Sequence, residues 1–192
     1  MSRERTRALL REAAGREFAS RGLSATSIDM IASAAGFSRG AFYSNYEDKH
    51  DLLAEIVDDS NHVEIDAWRK IICGPQSVDD ALAVIADRFN NYTSQRDWPM
   101  LVAEIQIEAK RNPAFEERVR ERGERTLQEI AELIGILARK AGKSDLDVEG
   151  VTLTLRGLVT GLVLHASEFT RRPVGDLLAG YLRSVLRIDR SR

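Results

Sequence analysis

Thr26-Ser27-Ile28-Asp29-Met30-Ile31-Ala32-Ser33-Ala34-Ala35-Gly36-Phe37-Ser38-Arg39-Gly40-Ala41-Phe42-Tyr43-Ser44-Asn45-Tyr46 reads as two short helices joined by a tight turn. Ile28, Ile31, Ala32 and Ala35 recur at i, i+3, i+4 and i+7, the period of one buried helical face, and Thr26 or Ser27 stands where an N-cap belongs. Gly36 then supplies the left-handed residue that stops the first helix. Ser38 can cap a second helix through Tyr43, which opens with the cation Arg39 and the small residues Gly40 and Ala41. A helix of about one and a half turns has no stability of its own. Phe42 and Tyr46, four apart, are therefore expected to anchor it to its neighbours. This is the arrangement of a helix-turn-helix, in which the second helix is shaped for a DNA major groove.

From Gly36-Phe37-Ser38-Arg39-Gly40-Ala41-Phe42-Tyr43-Ser44-Asn45-Tyr46 through Glu47-Asp48-Lys49-His50-Asp51-Leu52-Leu53 the chain resembles the DNA-binding segment of the tetracycline-repressor (TetR) family. The likeness covers roughly the first quarter of the chain and continues into the following helix. It implies that Ser38, Arg39, Gly40, Ala41, Tyr43, Ser44, Asn45 and Lys49 face DNA. Arginine has the donors for guanine and asparagine those for adenine, so Arg39 and Asn45 are expected at base edges. Tyr43 and Lys49 suit phosphates, the lysine adding its charge to the amides of the next helix's first turn. Ala41 stands where relatives often have threonine, and Ser44 and Asn45 where they often have histidine or an aromatic, so their operator sequence does not carry over.

The resemblance also implies a small-molecule effector in a pocket enclosed by helices 4 to 7, and a homodimer formed by the last two helices, bound to a palindromic operator in double-stranded DNA. Aromatic or soft residues on those helices make Trp68, Phe89, Tyr92, Trp98, Met100 and Phe115 candidate pocket residues, with His62, Glu104 and His165 as candidate polar contacts. For the dimer, Val151, Leu155, Leu158 and Leu162 form one apolar stripe, and Leu178, Leu182 and Val185 another. Gly157 and Gly161 would admit a facing helix.

The 192 residues hold only 4 prolines, and no strand pattern competes with the helical one anywhere, so the fold class is all-α. About nine helices are expected, in a head over residues 1–48 and a larger ligand-binding and dimerisation domain over 49–192. Arg3 to Arg21 forms the first, with Leu10, Ala14 and Phe18 inward and Gly22 at its end. Arg3, Arg7 and Arg11 fall on one line, suited either to phosphates or to pairing with Glu4 and Glu12. Asp48 caps a long fourth helix. Ser77 with Asp80 reads as a capping box before helix 5, Pro99 as the first residue of helix 6 with Ala103 and Ile107 inward, Asn112-Pro113 as the start of helix 7 and Gly142 as its end. Helix 8 starts near Asp147, and Pro173 separates it from helix 9.

The net charge of −2 divides into 8 Lys+Arg against 6 Asp+Glu before residue 51 and 20 against 24 after it, a small asymmetry of the right sign for a DNA-binding head. Cys73 is the single cysteine, excluding an internal disulfide and suiting a reducing cytosol. Met1 to Arg21 lacks the apolar centre of a signal peptide, and the longest apolar run, Val151 to Ala166, includes Arg156. A soluble cytoplasmic protein with no membrane partner is expected. His50, His62 and His165 are scattered and no catalytic motif occurs, so neither enzyme activity nor a metal or cofactor is expected. The competing function is a helical adaptor without DNA affinity, which burial of helix 3's basic and small residues would favour.

Overall fold

The computed structural model of the chain describes residues 2–93, 98–169 and 171–188, apart from the side chains of residues 92, 93, 98–100, 102 and 164–169. Nine α-helices and no strand are found among the described residues: α1 (Arg3–Arg21), α2 (Ile28–Ala34), α3 (Arg39–Tyr43), α4 (Lys49–Cys73), α5 (Val78–Thr93), α6 (Trp98–Arg111), α7 (Pro113–Lys140), α8 (Val148–Phe169) and α9 (Val174–Leu186). Their ends follow from local chemistry. Ser27, Ser38, Asp48, Asn112 and Asp147 each accept a backbone N–H three residues on, satisfying an amide the helix itself cannot use. Gly36 (φ 76°) closes α2, with Phe37 N–H on Ala32 O at 2.8 Å and Gly36 N–H on Ser33 O at 3.0 Å, the paired bonds of a left-handed C-terminal cap.

Three local expectations are corrected. Ser77 does cap Asp80 N–H, but its hydroxyl donates to the Asp80 carboxylate rather than leaving that carboxylate to the Ser77 amide. Pro99 is the second residue of α6, not the first. Among the described side chains of α6 the buried ones are Ile105 and Ala109, while Ile107 is 49% exposed. That helix carries apolar residues on two faces, and the face holding Leu101, Ile105 and Ala109 is the one that finds a neighbour.

The chain forms two compact units, one of Met1–Asn61 with Met100–Arg122 and one of His62–Pro99 with Gly123–Arg192. The head unit is thus larger than residues 1–48. Its core joins Leu10, Ala14 and Phe18 of α1 to Ile31 and Ala32, Phe42 and Tyr46, Leu52 and Leu53, and to Ile105, Ala109 and Phe115. Phe42 is wholly buried, so five-residue α3 is held by an aromatic anchor that no single turn of helix could replace. The second unit packs Ile65, Ile72, Leu82, Leu133, Ile134 and Leu137 against Val151, Ala179, Leu182 and Leu186, with a smaller cluster around Phe89, Val163 and Leu178. No helix among the described residues is long and apolar enough to cross a membrane.

Candidate nucleic-acid interface and ligand cavity

In the head unit, burial of Phe42 turns the opposite side of α3 outward: Ser38, Arg39, Gly40, Tyr43 and Ser44 are exposed, and Ala41 is half-buried. The exposed cation and small residues remove the condition that would have favoured an adaptor. Arg39 is steadied at the surface. Its Nη1 donates to Asp29 Oδ2 at 2.6 Å and its Nη2 to the Tyr43 hydroxyl at 3.3 Å, with the guanidinium carbon 5.5 Å from the Tyr43 ring centre. Those contacts, the Tyr43 hydroxyl first and then the Asp29 charge, raise the Arg39 pKa and keep it cationic. Both partners of the ion pair are more than half exposed, so it costs little to exchange for a phosphate or a base edge.

Two other expected contacts have structural work. Asn45 is half-buried and its amide donates to Ala41 O at 2.8 Å, closing one of the α3 carbonyls. Lys49 Nζ donates to Leu23 O at 2.7 Å and Thr26 O at 3.2 Å, tying the α1–α2 connection to the start of α4 and leaving one of its three protons for another acceptor. Ser44 donates its hydroxyl to Gly40 O at 2.9 Å.

In the arginine line of α1, Arg3 is exposed, while half-buried Arg7 and Arg11 pair with α4 as well as with the expected Glu4. Arg7 and Arg11 both donate to the Glu55 carboxylate of α4, Arg11 Nε lies 3.0 Å from Asp59, and Glu4 lies 3.3 Å from Arg11. Arg7 also donates to Asn45 O at 2.6 Å and sits 4.3 Å over the Tyr46 ring. Burial works to lower the Arg11 pKa, but the hydrogen bond to Glu55 and the charges of Asp59 and Glu55 outweigh it and raise it. Tyr46 is pushed up to about 12 by burial and by the Glu55 charge, with Arg7 and Arg11 opposing.

Two candidate pocket residues belong to this same unit. Glu104 accepts the Leu23 N–H at the end of α1, beside Gly22, whose φ of 85° no side chain would favour. Phe115 is buried with its ring 4.9 Å from that of His50, which itself meets Glu108 at 2.9 Å. Neither lines the cavity described next, because α6 and the first turns of α7 pack into the head core. Their roles were invisible to periodicity, which marks a buried face without saying what covers it.

The second unit contains a cavity of about 80 Å³. α4, α5, α7, α8 and α9 line it, and Trp68 and Phe89 are the candidate residues found there, their rings 6.3 Å apart. Its lining is carbon almost throughout. The Trp68 indole Nε1–H is buried with no hydrogen-bond partner among the described residues. The Tyr92, Trp98, Met100 and His165 side chains lie outside the described residues, and His62 is exposed.

The expected dimer residues divide three ways. Val151, Leu178 and Leu182 are buried within the unit itself, a correction that follows from their packing on α5 and α7, and Leu155 lines the cavity. Leu158, Leu162 and Val185 are half-buried. On the outer side of α8, Leu153 is 54% exposed and a side chain added at Gly157 or Gly161 would meet nothing within 4 Å.

Residues 10–56 match the family description "Bacterial regulatory proteins, tetR family", and residues 78–187 match "BetI-type transcriptional repressor, C-terminal". The HTH-type transcriptional regulator AcrR of Shigella flexneri is 39% identical over 79 residues, which span 39% of this chain and 37% of that protein. Among solved structures, the fatty acid degradation regulator FadR from Bacillus halodurans superposes with a TM-score of 0.75 at 18% identity, covering 97% of both chains. Salmonella enterica GusR gives 0.75 at 22% identity over 95% of both. FadR from Bacillus subtilis, solved in complex with stearoyl-CoA, gives 0.74 at 17% identity over 93% of this chain and 97% of that one. At these identities the structures show a shared fold.

Proposed function

The chain belongs to the tetR family of bacterial regulatory proteins, and from that premise we propose that it is a cytoplasmic, non-enzymatic, DNA-binding repressor that leaves a palindromic operator when a small molecule binds. The observation that carries this reading is the outward face of α3, where Arg39, Gly40, Tyr43 and Ser44 are presented on a helix fixed from behind by Phe42. Arg39 reads a base edge, Tyr43 and Ser44 contact the strand beside it, and small Gly40 and Ala41 let the helix approach. Ser38 and Asn45 hold α3 in shape, and Lys49 offers its remaining proton to a phosphate.

Two copies pair through the outer side of α8 around Leu153, Gly157, Leu158, Gly161 and Leu162, together with Val185 of α9, so that two heads meet two half-sites one helical turn apart. The effector occupies the cavity of the second unit and favours a dimer whose heads no longer fit that spacing. Replacing Arg39 by alanine tests the reading: preference at one operator position should relax, a loss of about 1–3 kcal/mol for a bidentate contact. Unchanged preference in competition between duplexes differing at single positions would overturn base readout by Arg39. Gly161→Arg places a charge against its own copy and should yield monomers with weak operator binding. A folded dimer by light scattering would move the interface elsewhere.

A further inference from the structure

We propose that Asp29, on α2 and outside the helix that faces the groove, is a specificity-determining residue: its carboxylate holds the Arg39 guanidinium toward a guanine edge and keeps it off the phosphates. This rests on the reading of the outward face of α3 as the surface that meets DNA. Asp29 Oδ2 accepts from Arg39 Nη1 at 2.6 Å, and the Tyr43 hydroxyl, one turn further along α3, accepts from Nη2 at 3.3 Å. Asp29 stands in the first turn of α2 and Arg39 in the first turn of α3, so the pair spans the two helices of the motif. A long side chain with several rotatable bonds is thereby held at both of its terminal nitrogens.

The pair contributes little to folding, because both side chains are more than half exposed. Its consequence lies in what Arg39 can meet. A guanidinium has five N–H groups, and the two contacts use one on each terminal nitrogen, leaving the other on each and the Nε–H. Guanine is the base whose major-groove edge offers two acceptors, O6 and N7, side by side, the match for two neighbouring N–H groups. A phosphate asks something different. It carries a full negative charge, and drawing it to Arg39 brings it against the Asp29 carboxylate, whereas a base edge is neutral. The carboxylate therefore opposes the sequence-independent contact more than the sequence-reading one, and specificity is the difference between the two.

The test is a competition among duplexes: an operator selected from random DNA, the same operator with each other base at the position where Arg39→Ala loses preference, and an unrelated duplex of equal length. Asp29→Asn keeps the size of the side chain and an acceptor oxygen while removing the charge. It should lower the preference for guanine at that position about threefold to tenfold and raise affinity for the unrelated duplex about twofold to fivefold, the gain shrinking as salt is added. Asp29→Ala should do the same by a larger margin, and either variant decides alone should the other not fold. With Arg39 already replaced by alanine, Asp29→Asn should leave preference at that position unmoved. A merely structural role for Asp29, as an acidic residue at the start of α2, predicts instead that both affinities fall together while the preference stays. That result, the absence of either change, or a preferred base other than guanine overturns the inference. Base readout by Arg39 fails separately: an Arg39→Ala protein with unchanged preference at every position removes that reading, and this inference with it.

Discussion

Both units are tied by directional polar contacts, and they differ in what their interiors hold. In the head unit, polar ties cross-link the helices around a packed core: Arg7 and Arg11 on Glu55, Glu104 on the Leu23 amide, Lys49 on two carbonyls, His50 on Glu108 and Arg122 on Asp58 at 3.0 Å. The second unit has ties of the same kinds, Arg88 to Glu64 at 2.7 Å, Arg183 to Asp79 at 2.5 Å, the Gly175 N–H on Asn90 at 2.6 Å and Lys140 on three carbonyls, but its interior is apolar packing around a cavity. Directional bonds fix where α3 stands, which DNA reading requires. Non-directional packing tolerates a change of contents, which ligand binding requires.

The largest effect should come from the head's core. Phe42→Ala leaves α3 without its anchor and should cost about 3–5 kcal/mol, seen as a lower denaturation midpoint with loss of DNA binding. Removal of a tie comes next: Glu104→Ala strands the Leu23 amide and should cost about 1–3 kcal/mol by the same measurement. Filling the cavity should be mild by contrast. Leu155→Phe puts added volume where space exists, so stability should stay within about 1 kcal/mol. A cost as large as that of Phe42→Ala would mean that the second unit is packed as tightly as the first.

Tyr46→Phe should be the smallest near neutrality and should show itself only in alkali. The folded-state pKa of Tyr46, about 12 against an ordinary 10.0, means that the folded protein holds this proton more tightly than the unfolded chain does. Its contribution is complete below pH 10 and is lost as pH rises from about 10 toward about 12. Urea midpoints across that range should fall more steeply for the unaltered protein than for Tyr46→Phe, and parallel curves would contradict the assignment.

Local signals were legible in the sequence because their chemistry is local. Gly36 and Gly142 end helices with positive φ, Ser38 and Asp48 begin them, and Phe42 anchors α3 as its spacing indicates. Long-range partners were not legible. Glu104 and Phe115 look like pocket residues on α6 and α7, yet those stretches pack with the head, and nothing within either helix distinguishes the two destinations. Leu178 and Leu182 look like surplus apolar surface on a terminal helix until α5 is seen to cover them. The arginines of α1 left phosphates and local glutamates open as partners, and their main partners, Glu55 and Asp59, lie more than forty residues away on α4.

The central claim, that the outward face of α3 reads DNA as part of a symmetric pair, is tested most directly by selecting duplexes from a random pool with the purified chain. The account expects an inverted repeat with half-site centres one helical turn, about 10 base pairs, or a multiple of it apart, bound by an even number of chains. Binding without enrichment of any sequence, or enrichment of a single asymmetric site bound by one chain, would contradict it.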